Sequence, residues 1–82
     1  MIEVITREEK AEKTRKKGLI PGILYGKKHL KIAIKRENIN QLKKDEKIKF
    51  VLNGEELEGI IKDIQKDPIN FEVIHFDLYL GE

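Results

Sequence analysis

The sequence predicts a small, mainly β domain: a closed or nearly closed six-stranded antiparallel β-barrel with one or two short helices. Three observations carry this reading. The chain has 82 residues, enough for one domain near the low end of what folds alone, so residues 1–82 are read as one domain. Short runs of alternating apolar and polar residues recur along it, separated by turn signals. Six strands joined by tight connections expose edges unless the sheet closes on itself.

Each element follows from its own residues. Ile2 to Thr6 reads as a short strand with Ile2 and Val4 on one face. Residues 7–17 are nearly all charged, with good helix propensity but no apolar stripe, so they form either a solvated helix or a mobile loop. Gly18 suits a helix end. Pro21 and Gly22 punctuate before a short strand over Ile23–Tyr25, and Gly26-Lys27-Lys28 is a hairpin turn. Leu30, Ile32 and Ile34 alternate with Lys31, Ala33 and Lys35, a half-buried strand. Ile39 and Leu42 stand at helical spacing in a short helix over 37–44. Ile48, Phe50 and Leu52 mark a strand over 47–52. Asn53-Gly54 follows as a strong two-residue hairpin signal, with a return strand over Leu57–Ile64. Asp67-Pro68 marks a turn. The last strand, Phe71 to Leu80, sets Ile74, Phe76, Leu78 and Leu80 on one face and Val73, His75, Asp77 and Tyr79 on the other.

Composition excludes several chemistries. The chain has no cysteine and no serine, which removes disulfides, thiolate metal sites and serine or cysteine nucleophiles. Its two histidines, His29 and His75, are too few for zinc without several carboxylate partners. The glycines are scattered, so no phosphate-cradling loop is present. No enzyme activity and no cofactor are expected. No apolar run reaches membrane-spanning length, and the N-terminus lacks a signal-peptide pattern, so the expected setting is cytoplasmic with no membrane partner.

The net charge is only +2, but its distribution is uneven. Residues 1–36 carry 11 Lys/Arg against 4 Asp/Glu, and residues 37–82 carry 6 against 11, a split of +7 and −5. A basic N-terminal half suits a polyanion, although an uneven solvated surface has the same pattern. His75 and Asp77, two apart on a strand, share a face. They are a base with its orienting group, a structural pair, or part of a recognition surface. With Tyr79, Tyr25 and Gln65 they make an outward polar row beside the basic residues 10–17. RNA helices display sugar hydroxyls and base edges in a wide, shallow minor groove, which a flat strand face fits. Tyr25 reads equally as a rim residue capping the core.

Three segments carry a family resemblance: Ile20-Pro21-Gly22-Ile23-Leu24-Tyr25-Gly26, Ile61-Lys62-Asp63-Ile64-Gln65-Lys66-Asp67-Pro68, and Ile74-His75-Phe76-Asp77-Leu78. In this order and spacing they resemble the bacterial ribosomal protein L25 family, whose members bind 5S ribosomal RNA. The resemblance runs from Arg7 to Leu80 and is to the short, single-domain form. It implies a six-stranded barrel similar to the anticodon-binding domains of glutaminyl-tRNA synthetase. It also implies a ribosome-associated structural protein that binds a non-Watson–Crick internal loop of 5S RNA from the minor groove. The residues matching the family's RNA contacts are Arg7, Arg15, Tyr25, Gln65, His75 and Asp77. Lys62 falls at a contact position of variable type, and Lys13 belongs to the basic segment. Neighbouring ribosomal proteins and 23S RNA are further implied partners. The departures lie mainly in residues 8–15: the Gly-Lys-Gly stretch usual in the family is missing, the segment is slightly shortened, and Glu12 stands where a basic residue is common; Gly22, where alanine is usual, is a minor change. A different RNA- or tRNA-binding barrel and a protein–protein adaptor using the same face are the competing readings.

Overall fold

A computed structural model describes residues 1–81. Its six strands are β1 (Ile2–Thr6), β2 (Leu19–Gly26), β3 (Leu30–Lys35), β4 (Lys47–Leu52), β5 (Glu55–Lys66) and β6 (Val73–Leu80). A helix α1 (Ala11–Lys16) lies between β1 and β2, and a 3₁₀ turn over Arg36–Gln41 follows β3. The strands close into a barrel in the order β1-β3-β2-β6-β5-β4.

The mainly β, six-stranded barrel is as the sequence predicts, but the pairing is mixed rather than wholly antiparallel. The hairpins β2–β3, β4–β5 and β5–β6 are antiparallel. The β1–β4 and β2–β6 seams are parallel. Tight turns force antiparallel neighbours, whereas strands far apart in the chain are free to run parallel. β1 closes the barrel by dividing its length: Ile2 to Val4 pair with Phe50 to Leu52, and Ile5 and Thr6 pair with Ala33 and Ile32.

Alternation fills the interior. Leu24, Ile32, Phe50, Ile61 and Leu78 are 0% exposed, and Phe76 is 1%. Leu42, after the 3₁₀ turn, is buried in the same core, with Ile39 packed against it. The Asn53-Gly54 turn has φ of 52° and 83°, the doubly positive geometry of a two-residue hairpin.

The differences from the sequence reading have identifiable causes. β2 begins at Leu19 and runs through Pro21 and Gly22, because Pro21 and Ala33 are register partners. The helix expected over 37–44 is a shorter 3₁₀ turn, and β5 extends beyond both predicted ends. β6 starts at Val73. Residues 67–72 form a loop instead, in which Asp67 Oδ1 accepts from the Ile69 N–H at 2.8 Å and the Phe71 N–H donates to Asp67 O at 2.8 Å. The solvated segment is helical and anchored. Thr14 is 0% exposed and its hydroxyl donates to Lys10 O at 3.1 Å, and α1 packs against β2. Gly18, at φ 80°, ends it with its N–H on Arg15 O.

A candidate RNA interface on the β2–β6–β5 face

Three adjoining strands set the candidate site. Their pairing puts Tyr25 beside Tyr79 and Ile23 beside Asp77 across β2–β6. Across β5–β6, Asp63 stands beside Asp77 and Gln65 beside His75. The inward neighbours Phe76, Leu78 and Ile61 are buried, which fixes His75, Asp77 and Tyr79 on the outer face.

A bulge on β5 shapes this face. The register shifts between Ile61 and Asp63, so Lys62 is the extra residue. Simple alternation from Ile61 would send Asp63 inward. After the bulge Asp63 points out, paired with Asp77, and Ile64 turns toward the core. Ile61 and Ile64, two apolar residues three apart, are the sequence signal of that break. Asp63 and Tyr79 thus join the site. Tyr79 belongs to the outward polar row that alternation predicts, though not to the contacts implied by the resemblance, whereas Asp63 is visible only through the register. Like charges opposite one another on a sheet repel, so the pairing of Asp63 with Asp77 is set by the ladder and not by attraction between the two side chains.

The predicted residues fall into two groups. Tyr25, Lys62, Gln65, His75 and Asp77 share the face. Arg7, Lys13 and Arg15 come from the segment beside it. Arg15 Nη1 donates to Ile74 O at 3.0 Å, tying α1 to the head of β6. Arg7 is half-buried, and its guanidinium donates to Ile32 O at 2.8 Å, Glu9 O at 2.9 Å and Gly22 O at 3.3 Å. Burial lowers its pKa from the ordinary arginine value, with the Arg15 charge acting in the same sense and Glu9 against. A guanidinium has five N–H donors, so two remain for a partner. Lys13 is exposed on α1. A Lys17–Glu9 ion pair at 2.8 Å braces the two ends of the α1 segment, and that hydrogen bond holds the Glu9 carboxyl below its usual range.

His75 is the titratable centre. Burial pushes its pKa below 6.5, the charges of Arg7 and Arg15 push the same way, and Asp77 and Asp63 oppose them. The imidazole is therefore neutral at neutral pH. Its Nδ1 approaches Asp77 Oδ1 to 3.5 Å, yet it is buried and makes no hydrogen bond. The contact is an electrostatic approach between a neutral ring and a carboxylate, not a formed ion pair. Nε2 is the nitrogen left to meet a partner.

Among the described residues, no cluster of three or more His, Cys, Asp or Glu side chains is placed to hold a metal ion, and no helix is long and apolar enough to cross a membrane. The face offers hydrogen-bonding groups on rigid strands with cations at its edge. The sequence model of the Ribosomal L25p family matches residues 2–78. The chain belongs to the Ribosomal L25p family. The large ribosomal subunit protein bL25 of Clostridium tetani is 38% identical over 78 residues, covering 88% of this chain and 40% of that protein. The bL25 of Natranaerobius thermophilus is 37% identical over 83 residues, covering 92% and 39%. That of Desulfitobacterium hafniense is 30% identical over 87 aligned positions, covering 99% and 49%. The chain spans about half the length of these L25p relatives, or less. The match takes in β1 to β5 and β6 as far as Leu78, so Tyr25, Lys62, Gln65, His75 and Asp77 lie within the matched region and Tyr79 falls one residue beyond it.

Proposed function

We propose that this chain is a structural, RNA-binding component of the large ribosomal subunit and that the β2–β6–β5 face reads an internal loop of 5S ribosomal RNA from its minor groove. The observation that carries the reading is the row His75–Asp77–Tyr79. It is fixed outward by a buried core and flanked by Gln65, Tyr25 and Lys62, with Arg15 bonded to the head of its strand.

The chemistry divides by position. Lys13, Arg15 and the two free donors of Arg7 hold phosphates, which gives affinity and register but little sequence choice. Arg7 is pre-oriented by its three internal bonds, so little freedom is lost when it meets a phosphate. Carboxylates are a poor choice next to phosphates unless they accept hydrogen bonds. The minor groove supplies donors, the guanine amino group and the 2′-hydroxyl, and Asp77 is the acceptor for them. A neutral His75 presents Nε2 as donor or acceptor, and Gln65 beside it presents both. Neighbouring ribosomal proteins and 23S RNA are the other surfaces such a protein meets.

The test is competitive binding of the chain to 5S RNA, total transfer RNA and 23S RNA fragments across a salt series. Preferential binding of 5S RNA, falling steeply with salt, is expected. Binding of transfer RNA without 5S RNA points instead to an anticodon-type barrel, and salt-independent capture of protein alone points to an adaptor.

A further inference from the structure

At the far end of the face, β2, β5 and β6 bring three side chains into one corner. The Tyr25 and Tyr79 rings lie 5.2 Å apart between centroids, tilted by 55°. The Lys62 ammonium sits 5.8 Å from the centre of the Tyr79 ring. Two backbones hold that ring in place. A Cβ built on Gly26 would come within 3.0 Å of Tyr79 Cε1, and one on Gly81 within 3.1 Å of Cε2. Gly26 also has φ of 109° and its Cβ would strike Leu80 O, so only glycine fits there. The Tyr79 ring is thus fenced by two glycines, Tyr25 and Lys62, and among the described residues no side-chain hydrogen bond engages its hydroxyl.

We infer that Tyr79 and Lys62 form a phosphate-holding corner of the RNA-binding face, in which the Tyr79 ring positions both the Lys62 ammonium and Tyr25. The inference rests on the RNA reading given above. The β5 bulge supplies the reason for the geometry. The extra residue in the ladder is Lys62 itself, freed from strict alternation and swung over the ring. A lysine on a free stem explores many rotamers and surrenders that freedom when it binds a phosphate. A cation resting on an aromatic face has already surrendered part of it. The corner lies two residues along β6 from Asp77 and four from His75, so a sugar–phosphate strand crossing the row reaches it. The Arg7–Arg15 group stands at the other end, by the head of β6. The acidic pair Asp63–Asp77 lies between them. Two cationic ends around an acidic middle suit a duplex whose phosphate strands flank a groove.

The experiment measures affinity of the full chain for a 5S RNA transcript by fluorescence anisotropy at several salt concentrations. The variants are Lys62→Ala, Tyr79→Phe, Tyr79→Leu and the double variant, each with a melting curve. Lys62→Ala should lower the salt slope by about one or less. Tyr79→Leu should weaken binding about two- to fivefold, the range of an exposed cation–π contact. Tyr79→Phe, which keeps the ring, should match the parent. In the double variant the losses should fall short of the sum, because Tyr79 acts partly through Lys62. An unchanged salt slope in Lys62→Ala overturns the inference, and that exposed position tests it even if Tyr79→Leu melts early. Full additivity overturns it as well. Asp77→Ala serves as the separating control. If it loses binding while the Lys62 and Tyr79 variants do not, only the corner fails. If the parent shows no preference for 5S RNA, the RNA reading itself fails.

Discussion

Gly22→Ala probes the barrel where β2 meets the core. A Cβ on Gly22 would lie 2.6 Å from both Cε1 and Cζ of Phe76 and 2.8 Å from its Cδ1. Ordinary carbon contacts begin near 3.4 Å, so the ring would have to retreat by about 0.8 Å. Phe76 is 1% exposed, and its strand is paired on both sides, to β2 and β5. Close-packed interiors yield little, and an added methyl of this kind costs about 1–3 kcal/mol. For a domain of this size each kcal/mol lowers the melting temperature by about 4–8 °C. Gly22 needs no unusual backbone angle, so the penalty is steric, and that makes a rescue possible. Phe76→Leu alone leaves a void where the ring lay and destabilises. Combined with Gly22→Ala, the new methyl enters that void, and the two losses should offset by roughly 0.5–3 kcal/mol. Thermal and urea melts of the four proteins measure this. A Gly22→Ala variant within about 0.5 kcal/mol of the parent, or strict additivity, would refute the reasoning.

Three further outcomes are expected. Asp77→Ala should weaken 5S RNA binding about tenfold or more, the loss of a hydrogen bond to a charged group, with stability changed by no more than about 0.5 kcal/mol; tighter binding would make Asp77 only a repulsive charge. His75 should make stability fall as the pH drops below 6.5: the unfolded chain takes up a proton near that value, while the folded ring, its pKa lowered chiefly by burial, resists. His75→Gln should remove that part of the decline between pH 7.5 and 5.5, and identical pH profiles for parent and variant would contradict the burial effect. Lys13→Ala and Arg15→Ala should each lower the salt slope of RNA binding by about one unit or less, but only Arg15→Ala should also reduce amide protection in α1, because Arg15 alone of the two bonds to Ile74 O; equal hydrogen exchange in both would remove the tether.

Much of the barrel was legible because it is local. The alternation of Phe76, Leu78 and Leu80 against His75, Asp77 and Tyr79 names the inner and outer faces of most of β6 with no knowledge of its partners; at the head of the strand it fails, because the ladder skips Ile74 and Val73 packs on the core in its place. Asn53-Gly54 names its own hairpin, since few residues tolerate two successive positive φ angles. The outward position of His75 and Asp77 followed from the same two-residue period.

What the tertiary structure alone decided depends on which distant segments meet. The parallel β1–β4 and β2–β6 seams have no local signature, because no turn joins their strands. Pro21 and Gly22 looked like punctuation, but β3 and β6 supply neighbours that hold them in a strand. Thr14 is polar in sequence and buried in the fold, so the anchoring of α1 was hidden from a count of apolar residues. Asp63 reaches the candidate face only through the bulge at Lys62. Period and turn chemistry are properties of neighbours along the chain, and they determined the elements and their faces. Register, seams and bulges depend on pairing across the chain, and these decided which side chains share the site.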